Sequence, residues 1–144
     1  MKIKILICFF INILLFTSCL DLTTSDDEQE ENSENCTCKR TTKPEDEEVE
    51  LKLSLNNQNK QVEITIYEGS IDKNKIVKTY IAEETPAKIV LDVDKNYTYV
   101  AKYLKGIDTI YVPVNSDLST HKYTCNEEPC WRIKNNVINL KLKI

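Results

Sequence analysis

The residues with the most varied chemistry available to them are the six cysteines: Cys8, Cys19, Cys36, Cys38, Cys125 and Cys130. A cysteine can form a disulfide, bind zinc as a thiolate or accept a covalent group, and its compartment helps to decide which. Cys125 and Cys130 flank the four residues Asn-Glu-Glu-Pro. That spacing can bring two cysteines on adjacent hairpin arms within bonding distance. It predicts a disulfide between Cys125 and Cys130.

The triplet Cys36-Thr37-Cys38 is harder to assign, because a disulfide across a single residue is strained. Intermolecular pairing, cross-pairing to Cys125 or Cys130, and free thiols are all open. Four cysteines could also form a tetrahedral zinc site. Their spacings differ from the usual Cys-x2-Cys knuckles, and an oxidising compartment favours disulfides, so we expect no metal.

Other combinations of reactive residue types give weaker signals. Asp117, Ser119 and His121 have the residue types of a nucleophilic triad. They lie in one short polar stretch, whereas known triads gather their members from separate elements, so we expect a solvated loop. Gly69 and Gly106 are the only glycines, which excludes a glycine-rich phosphate loop, and His-Glu-x-x-His is absent. We therefore expect no catalytic residue and no cofactor.

The N-terminus indicates where these cysteines reside. Two lysines, an apolar run from Ile5 to Phe16 and small residues before Cys19 form the tripartite layout of a secretory signal. The run is too short for a transmembrane helix. The tetrapeptide Phe16-Thr17-Ser18-Cys19 resembles the lipobox of bacterial lipoproteins. The resemblance implies a signal peptide over residues 1–18 and a lipid on Cys19 that attaches the protein to the membrane of the cell envelope. An ordinary secreted protein is the alternative.

The next segment, residues 19–48, has the composition of a tether. From Asp21 to Glu50 there are twelve acidic and three basic residues, a formal charge of −9, whereas residues 51–144 carry +3. So few apolar residues cannot offset the entropy of ordering, which predicts a disordered acidic tether. Acidic residues behind a lipidated cysteine also resemble the surface-export signals of Bacteroidetes lipoproteins, which implies an outer-membrane location. A plain solvated spacer is the alternative.

From Val49 onward, apolar and polar residues alternate with a period of two. We count nine candidate strands at near-regular spacing, the two around Cys125 being the least regular, and no helical stretch. The pattern predicts an antiparallel β-sandwich of seven to nine strands over residues 49–144.

Two short stretches in this region resemble known families. The stretch from Thr85-Pro86 through Asp94-Lys95-Asn96 to Ala101 resembles the prealbumin-like and carboxypeptidase-regulatory-like sandwiches and PEGA domains. This resemblance implies an Ig-like fold that serves as an interaction or spacer module, and it transfers no catalytic residue. Asp108-Thr109-Ile110 resembles the O-glycosylation motif of Bacteroidetes envelope proteins, which implies a glycan on Thr109.

These observations lead to one functional expectation. The mildly basic domain has no Lys/Arg stripe, so we expect no nucleic acid partner. We expect a lipid-anchored envelope protein with an interaction or structural module and a protein or glycan partner, not an enzyme. The alternative is a surface-displayed enzyme or enzyme inhibitor. An enzyme requires a concave pocket with convergent polar groups. A binding module would instead expose an apolar or aromatic patch, with candidates Tyr67, Tyr111, Tyr123 and Trp131.

Overall fold

A computed structural model describes residues 36–143, which all belong to one compact unit. The predicted signal peptide, Cys19 and the tether up to residue 35 lie outside the described residues. A short 3₁₀ helix, Ile71–Lys73, lies between the second and third of eight strands. The strands are β1 (Asp46–Lys52), β2 (Val62–Glu68), β3 (Ile76–Ala82), β4 (Ala87–Asp92), β5 (Lys95–Lys105), β6 (Asp108–Cys125), β7 (Glu128–Lys134) and β8 (Val137–Asn139).

Among residues 36–143, no helix is long and apolar enough to cross a lipid bilayer.

The strands form two sheets, with orders β3-β2-β5-β6-β7 and β4-β1-β8. The predicted all-β sandwich of seven to nine strands is confirmed. One pair departs from the antiparallel prediction, because β1 and β8 run parallel. Strands joined by a tight hairpin turn must pair antiparallel. The chain enters β8 from β7, which belongs to the other sheet, so no hairpin joins β8 to β1 and the two strands can pair parallel.

The core lies between the sheets and follows the alternation of the sequence. Tyr97, Tyr99 and Tyr103 of β5 all point inward and are almost completely buried. The Tyr97 hydroxyl donates to the Asp92 carbonyl at 3.0 Å. The Tyr103 hydroxyl donates to the Leu140 carbonyl at 2.8 Å and accepts from the Ser54 amide at 3.2 Å. The aliphatic residues around them, also buried, include Val49, Leu51, Val62, Ile64, Ile66 and Leu118.

Strand β6 changes partner along its length. It pairs with β5 up to Leu118 and with β7 from Ser119 onward. We call residues 119–134 the arm. Its turn consists of Asn126 and Glu127, with φ of 50° and 67°, the left-handed pair that a two-residue hairpin of the I′ type requires. Because β5 begins at Lys95, opposite Leu118, the arm extends past the start of β5 as a ribbon of two strands.

The predicted Cys125–Cys130 disulfide is wrong. The structure instead pairs Cys36 with Cys125 and Cys38 with Cys130, each with a Cα–Cα distance of 5.6 Å. The strand register explains the correction, because Cys125 lies opposite Glu128 while Cys130 is two positions further along β7. Such diagonal neighbours are roughly 7–8 Å apart, beyond the usual disulfide range. Cross-pairing, one of the arrangements that the spacing left open, is the one present.

The boundary of the predicted tether also needs correction. Composition predicts disorder for residues 36–48, but β1 begins at Asp46, and the stretch from Cys36 to Lys43 contacts the arm. We call residues 36–45 the strap. The Trp131 amide donates to the Arg40 carbonyl at 2.9 Å, and the Tyr123 hydroxyl donates to the Thr37 carbonyl at 3.2 Å. The two disulfides restrict the unfolded chain and so offset the ordering entropy that composition alone could not. The strap also covers part of the free edge of β7.

Candidate functional site

The register of β2, β5 and β6 aligns side chains in rows on the outer face of the five-stranded sheet. Tyr67 lies opposite Thr98, and Lys102 lies opposite both Glu63 and Tyr111. Side chains opposite each other point to the same side of a sheet. The alignment thus brings Tyr67 and Tyr111, from different strands, onto one face.

The two tyrosines help to line a groove of about 290 Å³. We define the tyrosine groove as the five apolar residues of this lining: Tyr67, Ile71, Val100, Tyr111 and Pro113. Tyr111 is 60% exposed and Ile71 is 44% exposed. The solvent face of an antiparallel sheet is normally polar, so an apolar cluster there indicates a contact surface.

Proline in the middle of a strand needs explanation, because it cannot donate to a strand ladder. Pro113 lies in the part of β6 that pairs with β5 alone, since β7 begins pairing only at Ser119. This one-sided pairing makes β6 an edge strand at Pro113, a position at which a sheet tolerates proline. The ring can therefore contribute to the groove without breaking a ladder.

Charge at the groove is balanced. Glu63 and Lys102 line one end, with their charged atoms 3.9 Å apart. Both side chains are exposed, so their pairing adds little stability. Its effect is to leave the groove without a net charge.

A second concavity of about 580 Å³ lies beside the groove. We call it the polar hollow, and its lining consists of Gly69, Ser70, Lys73, Asn96, Tyr97, Thr98, Asn115, Ser116 and Asp117. The loop after β2 shapes it: Gly69 has φ +79°, a left-handed conformation that favours glycine, and its amide donates to the Asn96 carbonyl at 2.8 Å. The loop is therefore tied to the start of β5.

Thr98 joins the two concavities. Its side chain is part of the hollow, and it lies between Tyr67 on β2 and Asn115 on β6 in one row. The hydroxyl is 2.5 Å from the Gly69 carbonyl and 2.8 Å from the Asn115 side-chain oxygen. Thr98 is only 3% exposed, so it supports the floor rather than offering a contact. We refer to the groove and the hollow together as the sheet-face site.

The other two predicted aromatic candidates do not join this site. Tyr123 lies under the Arg132 guanidinium, 5.7 Å from the ring centre, and also binds the strap. Trp131 lies under the Lys43 ammonium at 5.7 Å. Both rings therefore help to hold the strap on the arm.

The Asp-Ser-His stretch is part of strand β6, not the polar loop that the sequence predicted. The Asn135 side-chain amide donates to Asp117 at 2.8 Å. Burial, Lys134 and Arg132 lower the pKa of His121, which is therefore neutral at pH 7. Thr109 is exposed and lies opposite Leu104 on β5, two residues before Tyr111. Its glycosylation stays a prediction.

Metal binding has no structural support in the described part of the chain. Residues 36–143 contain no group of three or more His, Cys, Asp or Glu side chains placed to hold an ion. All four cysteines of this range are in disulfides, and a metal-binding cysteine must be a free thiolate.

Comparison with known proteins adds no assignment. The chain matches no protein-family model, no curated protein sequence and no solved structure. We therefore infer the function from the residues of the sheet-face site.

Proposed function

We propose that this protein is a lipid-anchored protein of the cell envelope whose β-sandwich is a binding module. The sequence from Met1 to Cys19 supports export and acylation at Cys19. The two disulfides agree with that address, because disulfides persist in oxidising compartments.

The observation that carries the binding role is the tyrosine groove. Its residues lie on the solvent side of the sheet, and Tyr111 and Ile71 are exposed instead of contributing to the core. A cluster of exposed apolar side chains costs solubility without stabilising the fold, so a contact partner explains its presence.

The attachment point of the strap suits this role. Cys36 is bonded to Cys125 at the end of β6, and Tyr111 lies near the start of the same strand. At about 3.3 Å per residue, the chain from Tyr111 to Cys125 spans up to roughly 45 Å. The chain that leads back to Cys19 therefore joins the described fold at the end of β6 that is far from the groove.

The enzyme or enzyme-inhibitor alternative would use the polar hollow, where Lys73 and Asp117 are the charged side chains of the lining. Lys73 comes from the 3₁₀ helix and Asp117 from the interior of β6, and the apolar groove beside them would then serve substrate or target binding. The groove is common to both alternatives, so we assign binding as the function.

Anchoring is tested with the full-length protein in cells. Wild-type protein should incorporate labelled fatty acid and sediment with membranes, whereas Cys19→Ser should lose both properties. Unchanged membrane retention without an acyl group would contradict the anchor.

Binding is tested by co-sedimentation of the detergent-purified full-length protein with envelope fragments that lack it and have been freed of lipid, in detergent, so that the lipid on Cys19 does not itself cause sedimentation. Tyr111→Ala should weaken binding about tenfold, the effect of removing one moderate contact residue. Val90→Ala is the matched control, because Val90 is 57% exposed on the three-stranded sheet. Binding that is equal in wild type and both variants would refute the groove as the contact surface.

A further inference from the structure

We infer that the sheet-face site binds an uncharged glycan chain, with sugar rings against the tyrosines and sugar hydroxyls in the polar hollow. This inference rests on the proposed binding function and specifies its ligand. It follows from three properties of the site.

The first property is the adjacency of two kinds of surface. A pyranose ring has a face of C–H groups and a rim of hydroxyls, so it needs an apolar platform beside hydrogen-bonding groups. The tyrosine groove offers aromatic and aliphatic side chains. The hollow next to it offers the side chains of Ser70, Asn96, Asn115 and Asp117. Sites for small ligands usually combine an apolar surface with a small number of convergent polar groups.

The second property is charge balance. One acidic and one basic side chain, Glu63 and Lys102, flank the groove, and the hollow likewise has one of each, Asp117 and Lys73. A polyanion is bound by clustered basic residues, which this surface lacks. The site thus matches a ligand without net charge.

The third property is size and rigidity. The two concavities, about 290 and 580 Å³, fall close to or within the range of about 300–1,000 Å³ typical of ligand pockets. Their walls come from three paired strands and the loop after β2, and that loop is tied to β5 through Gly69, whose carbonyl contacts Thr98 and whose amide binds Asn96. Little entropy is therefore lost on binding. A stable protein partner would need about 800 Å² on each side with a core depleted of charge. The ion pair beside the apolar groove does not fit that description.

The experiment divides envelope material into three probes and uses detergent-purified full-length protein. The probes are a polysaccharide fraction freed of protein with proteinase K and phenol, a detergent extract of envelope proteins, and vesicles of extracted lipids. Wild type should bind the polysaccharide, Tyr111→Ala and Asn96→Ala should bind it about tenfold more weakly, and Val90→Ala should behave as wild type. Circular dichroism of each variant checks that the sandwich is intact.

Salt provides a second readout. Binding of an uncharged glycan should change less than about twofold between 50 mM and 500 mM NaCl, because no counterions are released. Tyr111-dependent binding to the protein extract or the lipid vesicles alone would overturn the glycan and leave the binding function standing. Absence of Tyr111-dependent binding to all three probes would overturn both, because vesicle binding that is insensitive to Tyr111 reflects only the lipid on Cys19.

Discussion

The buried hydroxyl of Tyr99 yields a sharp stability test. Tyr97, Tyr99 and Tyr103 lie on one face of β5 and are all almost completely buried. The hydroxyls of Tyr97 and Tyr103 have backbone partners, whereas that of Tyr99 has none within residues 36–143. A buried polar group without a partner costs about 1–3 kcal/mol of desolvation. Tyr99→Phe should therefore stabilise the fold by about 1 kcal/mol, after a small loss of contacts around the missing oxygen.

Tyr103→Phe is the matched control, because it deletes the same atom in the same strand. It leaves the Leu140 carbonyl and the Ser54 amide without their partner and should cost about 1–3 kcal/mol. Urea unfolding under non-reducing conditions measures both changes as shifts in midpoint at constant slope. In thermal unfolding, 1 kcal/mol corresponds to about 4–8 °C for a domain of this size.

Alkaline pH provides an independent check. Burial is the largest cause that raises the pKa of Tyr99 above its ordinary value of 10.0. The unfolded chain therefore releases this proton first, and folding stability falls as pH rises above about 10. Tyr99→Phe should lose less stability than wild type between pH 9 and 11. Destabilisation by Tyr99→Phe at neutral pH would refute the reasoning, since it would mean that the hydroxyl binds a buried group such as a water.

Three further predictions concern the strap, the acidic turn before β5 and the polar hollow. Replacing both Cys36 and Cys125 with Ser should lower the free energy of unfolding by about 2 kcal/mol, measured in urea, because with Cys38–Cys130 intact this crosslink closes one further short loop. An unchanged midpoint would contradict the strap's role. Hydrogen bonds from Lys43 and then Thr120 lower the pKa of Asp94 to about 2. The stabilisation of the fold by the ionised Asp94 is therefore present above pH 4 and is lost as the pH falls toward 2. Asp94→Asn should flatten that part of a curve of unfolding free energy against pH. Gly69→Ala should cost about 1 kcal/mol at φ +79° in thermal unfolding, and wild-type stability would show that the loop relaxes freely.

The strands and the core were predictable because alternation is a local signal. Leu51, Ile64 and Tyr99 each stand in a period-two run, and each points into the core. The parallel β1–β8 pair was not predictable, since it joins the first and last strands and no turn between them specifies a direction. The sequence does not indicate that β1 starts at Asp46, because the first residues of this strand are acidic and lack an apolar alternation. The strands that pair with them lie elsewhere in the chain.

The cysteine pairing and the site depended on register, which the sequence does not display. A turn of two residues instead of four placed Cys130 diagonal to Cys125 and left both for the strap. The sequence identifies Tyr67 and Tyr111 as exposed aromatic candidates. It does not show that they lie near each other, because that depends on β5 lying between β2 and β6 in the sheet. The polar hollow was missed entirely, because its lining combines a loop glycine with residues from two later strands.

The strap also determines how mechanical load would cross the molecule. A pull from the N-terminal side of Cys36 enters the fold through two covalent bonds and reaches the arm, bypassing β1. A ligand held at Tyr111 would pull on the opposite end of the same strand, β6. The line of tension between Cys36 and such a ligand then runs along the covalent backbone of β6 from Cys125 to Tyr111, so it does not pull β6 away from β5. The sandwich would bear such a load without β1, and the core that β1 helps to form would stay closed.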